Sequence, residues 1–255
     1  MKVAIVFLTR TPKKELINFA QELNNNNNNN NNNCDTYISI DDNAYDASNL
    51  QVNVIQYSNK KCKRKGFINC ILAYTLQNEK RPCAWDKALY HFCIEDTSYD
   101  YIYLIEDDVL VTSHDIFESI NNKYPDADLL CASHMPEKKI EKWEHWKYAE
   151  NKIEKPWFQS MMCACRVSRK LLNIIHEFVK KNKTLLYHEF FFNTIAHNNK
   201  LKIENPAEFK NIYFRNNWRF NNVSYGLMYH PYKNISDHPE IRHYLYKKKF
   251  NCSMP

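Results

Sequence analysis

The stretch Tyr101-Ile-Tyr-Leu-Ile-Glu-Asp-Asp-Val-Leu-Val-Thr112 decides how the chain is read. It opens as a continuous apolar run, the mark of a strand buried on both faces of a parallel sheet. Glu106, Asp107 and Asp108 then interrupt it. An unpaired buried carboxylate is costly, so three in succession put the end of this strand against a cation or water. In an open α/β sheet the carboxyl ends of the strands are where ligands bind. Adjacent hard oxygen donors suit Mg²⁺ or Mn²⁺, ions that keep several waters and share a substrate's phosphates. A solvated acidic turn leading into a helix capped by Ser113 or Asp115 is the other reading of the same residues.

Upstream, residues 2–8 predict a first strand ending at Thr9-Arg10. Pro12 suits a helix start, and Leu16, Phe19, Ala20 and Leu23 give a helical stripe. The asparagine tract at 24–33 cannot bury apolar area and is expected as a disordered insertion. Residues 36–40 predict a second strand ending in Asp41-Asp42-Asn43, and 51–57 a third. Phe67, Ile68, Ile71, Leu72 and Leu76 form a helical pattern closed before Pro82, and the next helix carries Trp85, Leu89, Phe92 and Cys93.

Downstream, the pattern predicts a helix over 113–124, a strand over 128–133 and a loop or lid over 134–156 containing Trp143 and Trp146. A strand over 158–165 follows, then a helix capped by Ser168, another capped by Thr184 and running to His197, and a short strand at 212–214. Residues from about 239 to 255 read as a tail. Strands and helices alternate over the first 130 residues, which predicts a single α/β domain over 1–255. Its Rossmann-like N-terminal half would carry a mostly parallel central sheet flanked by helices, with a mixed C-terminal extension. In such a sheet Thr9-Arg10, Asp41-Asp42-Asn43 and Glu106-Asp107-Asp108 end on one edge and converge on one crevice.

Composition narrows the functional classes. Gly66 and Gly226 are the only two glycines in 255 residues, which excludes a GxGxxG dinucleotide fingerprint and a Walker loop. Side chains and a metal would have to hold any nucleotide phosphates. The net charge of +6 is scattered, apart from Lys60-Lys61-Cys62-Lys63-Arg64-Lys65 and Lys247-Lys248-Lys249, and reads as solvated faces with no nucleic-acid partner. Nine cysteines at irregular spacing, several inside apolar runs, read as small hydrophobes rather than a disulfide framework or zinc site. The apolar start covers six residues before Thr9-Arg10, too short for a signal peptide, and no run reaches the length of a membrane span. A soluble cytoplasmic protein is the expectation.

A strand starting at residue 2, a hydrophobic strand closing in the Asp-x-Asp-like triplet 106–108 and a helix-borne Glu some eighty residues later resemble the GT-A glycosyltransferases, of the nucleotide-diphospho-sugar transferase superfamily. The resemblance implies Mn²⁺ or Mg²⁺ as cofactor, a nucleotide-sugar donor (a UDP-sugar favoured) and a glycan or protein acceptor. It places Thr9 and Arg10 near the base or ribose, Asp41 and Asp42 on the nucleoside, and Trp85, Asp86 and Lys87 in a donor-contacting patch. Asp107 and Asp108 would hold the metal, with Glu106 on the ribose or behind the ligands. His230 would complete the metal shell, with His238 as its rival, and Lys233 would neutralise the leaving nucleotide. Glu189, in Tyr187-His-Glu-Phe-Phe-Phe-Asn-Thr194, would take the acceptor's proton in an inverting transfer. Helix-face packing is the other reading of Trp85, and pairing with Arg215 that of Glu189. A metal-dependent phosphohydrolase and a catalytically silent sugar-nucleotide-binding module remain the alternatives.

Overall fold

The computed structural model describes residues 1–29, 33–71 and 81–250. β1 (Val3–Thr9) is buried throughout, and its side chains alternate between two cores: Val3, Ile5 and Phe7 enter one, Ala4, Val6 and Leu8 the other. α1 (Lys14–Asn29) lays Leu16, Phe19, Ala20 and Leu23 on the first core, where Phe19 meets Phe7 edge-on. β2 (Cys34–Ile40) and β3 (Asn53–Ile55) extend the sheet on one side. α2 (Asn59–Arg64) and the wholly buried α3 (Ala84–Tyr90), prolonged by a π turn over His91–Glu95, pack into the second core.

β4 (Tyr101–Glu106) is the acidic strand, followed by β5 (Leu110–Val111) and α4 (Ile116–Lys123). Then come β6 (Leu129–Leu130), the paired β7 (Met135–Pro136) and β8 (Phe158–Gln159), and β9 (Ala164–Ser168). The Ser168 hydroxyl caps α5 (Arg169–Asn182) by accepting from the Leu171 N–H at 3.1 Å. The chain ends with α6 (His188–Asn198), β10 (Ile203–Glu204), β11 (Asn211–Ile212), β12 (Met228–His230) and α7 (His238–Phe250).

The expected fold class is what the structure shows: a seven-stranded sheet in the order β10-β6-β9-β4-β1-β2-β3, flanked by helices. Every pairing is parallel except the two that β9 makes with β4 and β6. A second sheet, β11-β12-β5, brings the C-terminal part of the chain back beside the end of β4. No helix among the described residues is long and apolar enough to cross a membrane.

Several local expectations differ. α1 continues through Asn29, so the first part of the asparagine tract prolongs a helix already nucleated by its buried stripe; residues 30–32 lie outside the described residues. Residues 67–71 are not helical, and 72–80 lie outside the described residues. The strand read over 158–165 is broken between β8 and β9. Thr184 caps nothing: its hydroxyl serves the Ile68 and Leu185 carbonyls, and α6 begins four residues later. Segment 134–156 holds β7 and two 3-10 turns, with Trp146 buried and packed on Trp157. The tail is mostly α7, because Ile241 and Leu245, one turn apart, are buried beside Leu110 and Tyr229.

Candidate functional site

The register of the sheet stitches the three acidic and basic strand ends together. Leu8 of β1 stands opposite Glu106 of β4, so Thr9 comes level with Asp107 and donates its hydroxyl to Asp107 Oδ2 at 2.5 Å. The Asp107 N–H donates to the Leu8 carbonyl, the Asp41 N–H to that of Thr9, and the Asp42 N–H to that of Arg10. Thr9, Arg10, Asp41 and the three acids 106–108 consequently line one cleft of about 220 Å³, together with an edge of Trp85. Asp42 is not part of that lining; its carboxylate closes a local turn onto the Ala44 N–H at 2.9 Å.

The three acids lie in three different environments. Glu106 Oε1 accepts from the Trp85 indole N–H at 2.9 Å. Burial pushes the Asp107 carboxyl up from its ordinary range; the Thr9 hydroxyl opposes this and the neighbouring carboxylates reinforce it. Asp108 bonds with Lys233 Nζ, and its Oδ1 lies 3.3 Å from His230 Nε2. Burial pushes the Asp108 carboxyl up as well, but the bonds and charges of His230 and Lys233 overcome it and hold it at about 2. For His230, burial works downward, yet the Asp108 carboxylate and the Tyr213 carbonyl carry the ring above its ordinary value.

β12 delivers that cationic side. It pairs antiparallel with β5, Tyr229 opposite Leu110, and the Tyr232 N–H donates to the Asp108 carbonyl at 2.8 Å. His230 Nδ1 donates to the Tyr213 carbonyl at 2.7 Å, which fixes the ring with Nε2 facing the Asp108 carboxylate. His238, the rival, is buried elsewhere: its Nε2 faces the Tyr232 carbonyl at 3.3 Å.

These residues fit a divalent ion. Neighbouring ligand atoms on an octahedral Mg²⁺ stand about 3 Å apart, close to the 3.3 Å between His230 Nε2 and Asp108 Oδ1. Glu106, Cys163 and His230 also offer ligand atoms within 4.8 Å of one another. Neither Asp107 nor Asp108 is in that group: Thr9 engages the first carboxylate, and His230 and Lys233 the second.

The Trp85-Asp86-Lys87 patch is placed differently from the expectation. The Trp85 ring is buried, tilted against His188 at 4.5 Å between centroids, and its one polar atom orients Glu106. Asp86 is buried and accepts from the N–H groups of Cys70 and Cys83; burial pushes its carboxyl up to about 6. Lys87, fully buried, donates to the carbonyls of Ile40 and Asp41 and to Asn43 Oδ1. Trp85 lines the cleft and orients Glu106, Lys87 holds the backbone of Asp41 that also lines it, and Asp86 braces the loop around Cys70 and Cys83.

Glu189 lies in the first turn of α6, 5 % exposed, two residues from Tyr187, whose phenol is pushed up by burial and then by this carboxylate's charge. The Glu189 backbone carbonyl accepts from the Ser160 N–H at 2.9 Å, three residues before Cys163. Arg215, the expected alternative partner, lies over Phe214.

Sequence reasoning missed Cys163. The β4–β9 register that pairs Ile105 with Ala164 extends one step, and the Glu106 N–H donates to the Cys163 carbonyl at 2.8 Å. Burial pushes the thiol well up, and the carboxylates of Glu106, Asp108 and Glu189 add to that. Only the pairing of 158–165 against the acidic strand would have pointed to it.

No protein-family model and no curated protein sequence matches this chain. Solved structures do resemble it. An active-site mutant of LgtC aligns with TM-score 0.48 at 12 % identity, covering 99 % of this chain and 97 % of that one. The galactosyltransferase LgtC with donor and acceptor sugar analogues aligns with TM-score 0.47 at 12 % identity and the same coverage. Mouse xyloside xylosyltransferase 1, apo form, aligns with TM-score 0.43 at 11 % identity over 92 % of this chain and 98 % of that one. Likenesses this distant carry no residue roles.

Proposed function

We propose that this chain is a metal-dependent glycosyltransferase that moves a sugar from a nucleotide-diphosphate donor, a UDP-sugar favoured, to an acceptor hydroxyl. The observation that carries the reading is Asp108 held between His230 and Lys233 at the end of a cleft that three strand tips line. That arrangement sets a carboxylate and a ring nitrogen 3.3 Å apart, with a lysine beside them. A bound divalent ion supplies charge that favours departure of the nucleotide diphosphate.

The chain's own residues do the rest. Thr9, Arg10 and Asp41 line the part of the cleft that receives the nucleoside. Lys233, largely exposed, can leave Asp108 for the diphosphate as a mobile point charge. Trp85 fixes Glu106, and Lys87 fixes the end of β2. Glu189, buried among apolar residues of α6, takes the acceptor's proton, and attack inverts the anomeric centre.

Calorimetric titration with UDP in the presence and absence of Mn²⁺, on the parent and on Asp108→Ala, tests this. Metal-dependent UDP binding in the parent, lost in the variant, is the expected outcome. Phosphate release from simple esters without sugar turnover would replace the reading with a phosphohydrolase. A panel of UDP-, GDP- and dTDP-sugars then identifies the donor.

A further inference from the structure

Cys163 has no part in the reading above, yet the sheet delivers it to the acidic tip. The Glu106 N–H donates to the Cys163 carbonyl at 2.8 Å, one step beyond the Ile105–Ala164 pair, so the two residues are neighbours at the strand tip. His230 reaches the same place from β12, and sulfur, carboxylate oxygen and ring nitrogen lie within 4.8 Å of one another. Two of the three are already oriented from outside: Trp85 holds one oxygen of Glu106, and the Tyr213 carbonyl holds the far nitrogen of His230. Outer hydrogen bonds of this kind are how proteins fix metal ligands. Among the described residues, no other cysteine belongs to such a group.

We propose that Cys163 is a ligand of the divalent-ion site, with Glu106 and His230, and that its thiolate selects Zn²⁺ over the hard ions Mg²⁺ and Mn²⁺. The proposal rests on the reading of the β4 tip as an ion site. The three side chains make a mixed N, O, S set and leave the fourth tetrahedral position open to a donor phosphate, with Asp108 Oδ1 3.3 Å from His230 Nε2 beside them. Ligand atoms on a tetrahedral zinc stand roughly 3.5 Å apart, so the group closes by about 1 Å on binding. The S–H bond breaks, an S–Zn bond forms, the proton leaves to solvent, and no electrons are transferred.

The experiment uses the full chain with Co²⁺ as a spectroscopic stand-in, together with Zn²⁺ and Mn²⁺ titrations of the parent, Cys163→Ser and Cys163→Ala. The parent should show a thiolate-to-cobalt charge-transfer band in the near ultraviolet that both variants lose. Zn²⁺ affinity should fall by about tenfold or more in the variants while Mn²⁺ affinity stays within about threefold. A parent that binds Mn²⁺ and Co²⁺ without that band, or variants that keep full Zn²⁺ affinity, would overturn the thiolate ligand and leave the ion site standing. A parent that binds neither ion would overturn both. Should the variants unfold, the NMR shift of bound cadmium in the parent decides, a value in the oxygen–nitrogen range counting against the proposal.

Discussion

The indole N–H of Trp85 donates to Glu106 Oε1 at 2.9 Å, so a ring buried in the core sets the direction of the first acid at the ligand edge. Trp85→Phe keeps most of the packing against His188 and Phe192 and removes only this bond. The variant should lose about 1 kcal/mol of stability and about tenfold in metal affinity. Equal metal titrations for parent and variant would show that Glu106 needs no such support.

Glu189→Gln keeps the shape of the α6 first turn and a hydrogen-bonding group beside Tyr187. Metal-dependent UDP binding should persist while transfer falls by about a hundredfold or more. Unchanged transfer would remove Glu189 from the chemistry.

Lys87→Met takes a buried ammonium away from the Ile40 and Asp41 carbonyls and Asn43 Oδ1 at the end of β2. A loss of roughly 3 kcal/mol is expected in urea unfolding, together with weaker UDP binding because Asp41 lines the cleft. A midpoint within error of the parent's would mean that water replaces the ammonium at no cost.

His238 gives a pH test. Burial first, and then the Arg242 charge, push its pKa down to about 4. A base whose folded pKa lies below its unfolded value contributes stability that is full above about pH 6.5 and is lost as pH falls toward 4. The parent should therefore lose roughly 2 kcal/mol from this group between pH 7 and pH 5, and His238→Gln should not. Asp86, raised to about 6 by burial, works in the opposite sense, since its unfolded form ionises first as pH rises. The difference between parent and variant isolates His238, and identical pH profiles would contradict the assignment.

The central strand and its partners were legible because an apolar run that stops at three acids has few physical explanations. Their convergence followed from parallel alternation alone, and Thr9, Asp41 and Asp107 meet as that logic requires. What stayed hidden depends on register. Nothing in Met162-Cys163-Ala164 indicates that the cysteine faces Glu106 until β9 is known to run antiparallel to β4. Asp86 and Lys87 entered the expected donor patch through the resemblance alone, and their backbone partners, the Cys70 and Cys83 N–H groups and the Ile40 and Asp41 carbonyls, have no signature in the sequence. His230 and His238 could be ranked only once β12 was seen to pair with β5.

The order of that pairing along the chain has a consequence for synthesis. All seven strands of the main sheet are present once residue 204 has been made, whereas His230 and Lys233 arrive later, with β12. A nascent polypeptide on the ribosome thus has every strand of its main sheet before the two cationic partners of Asp108 are made. Premature termination between those points would yield a folded-looking product with half a site.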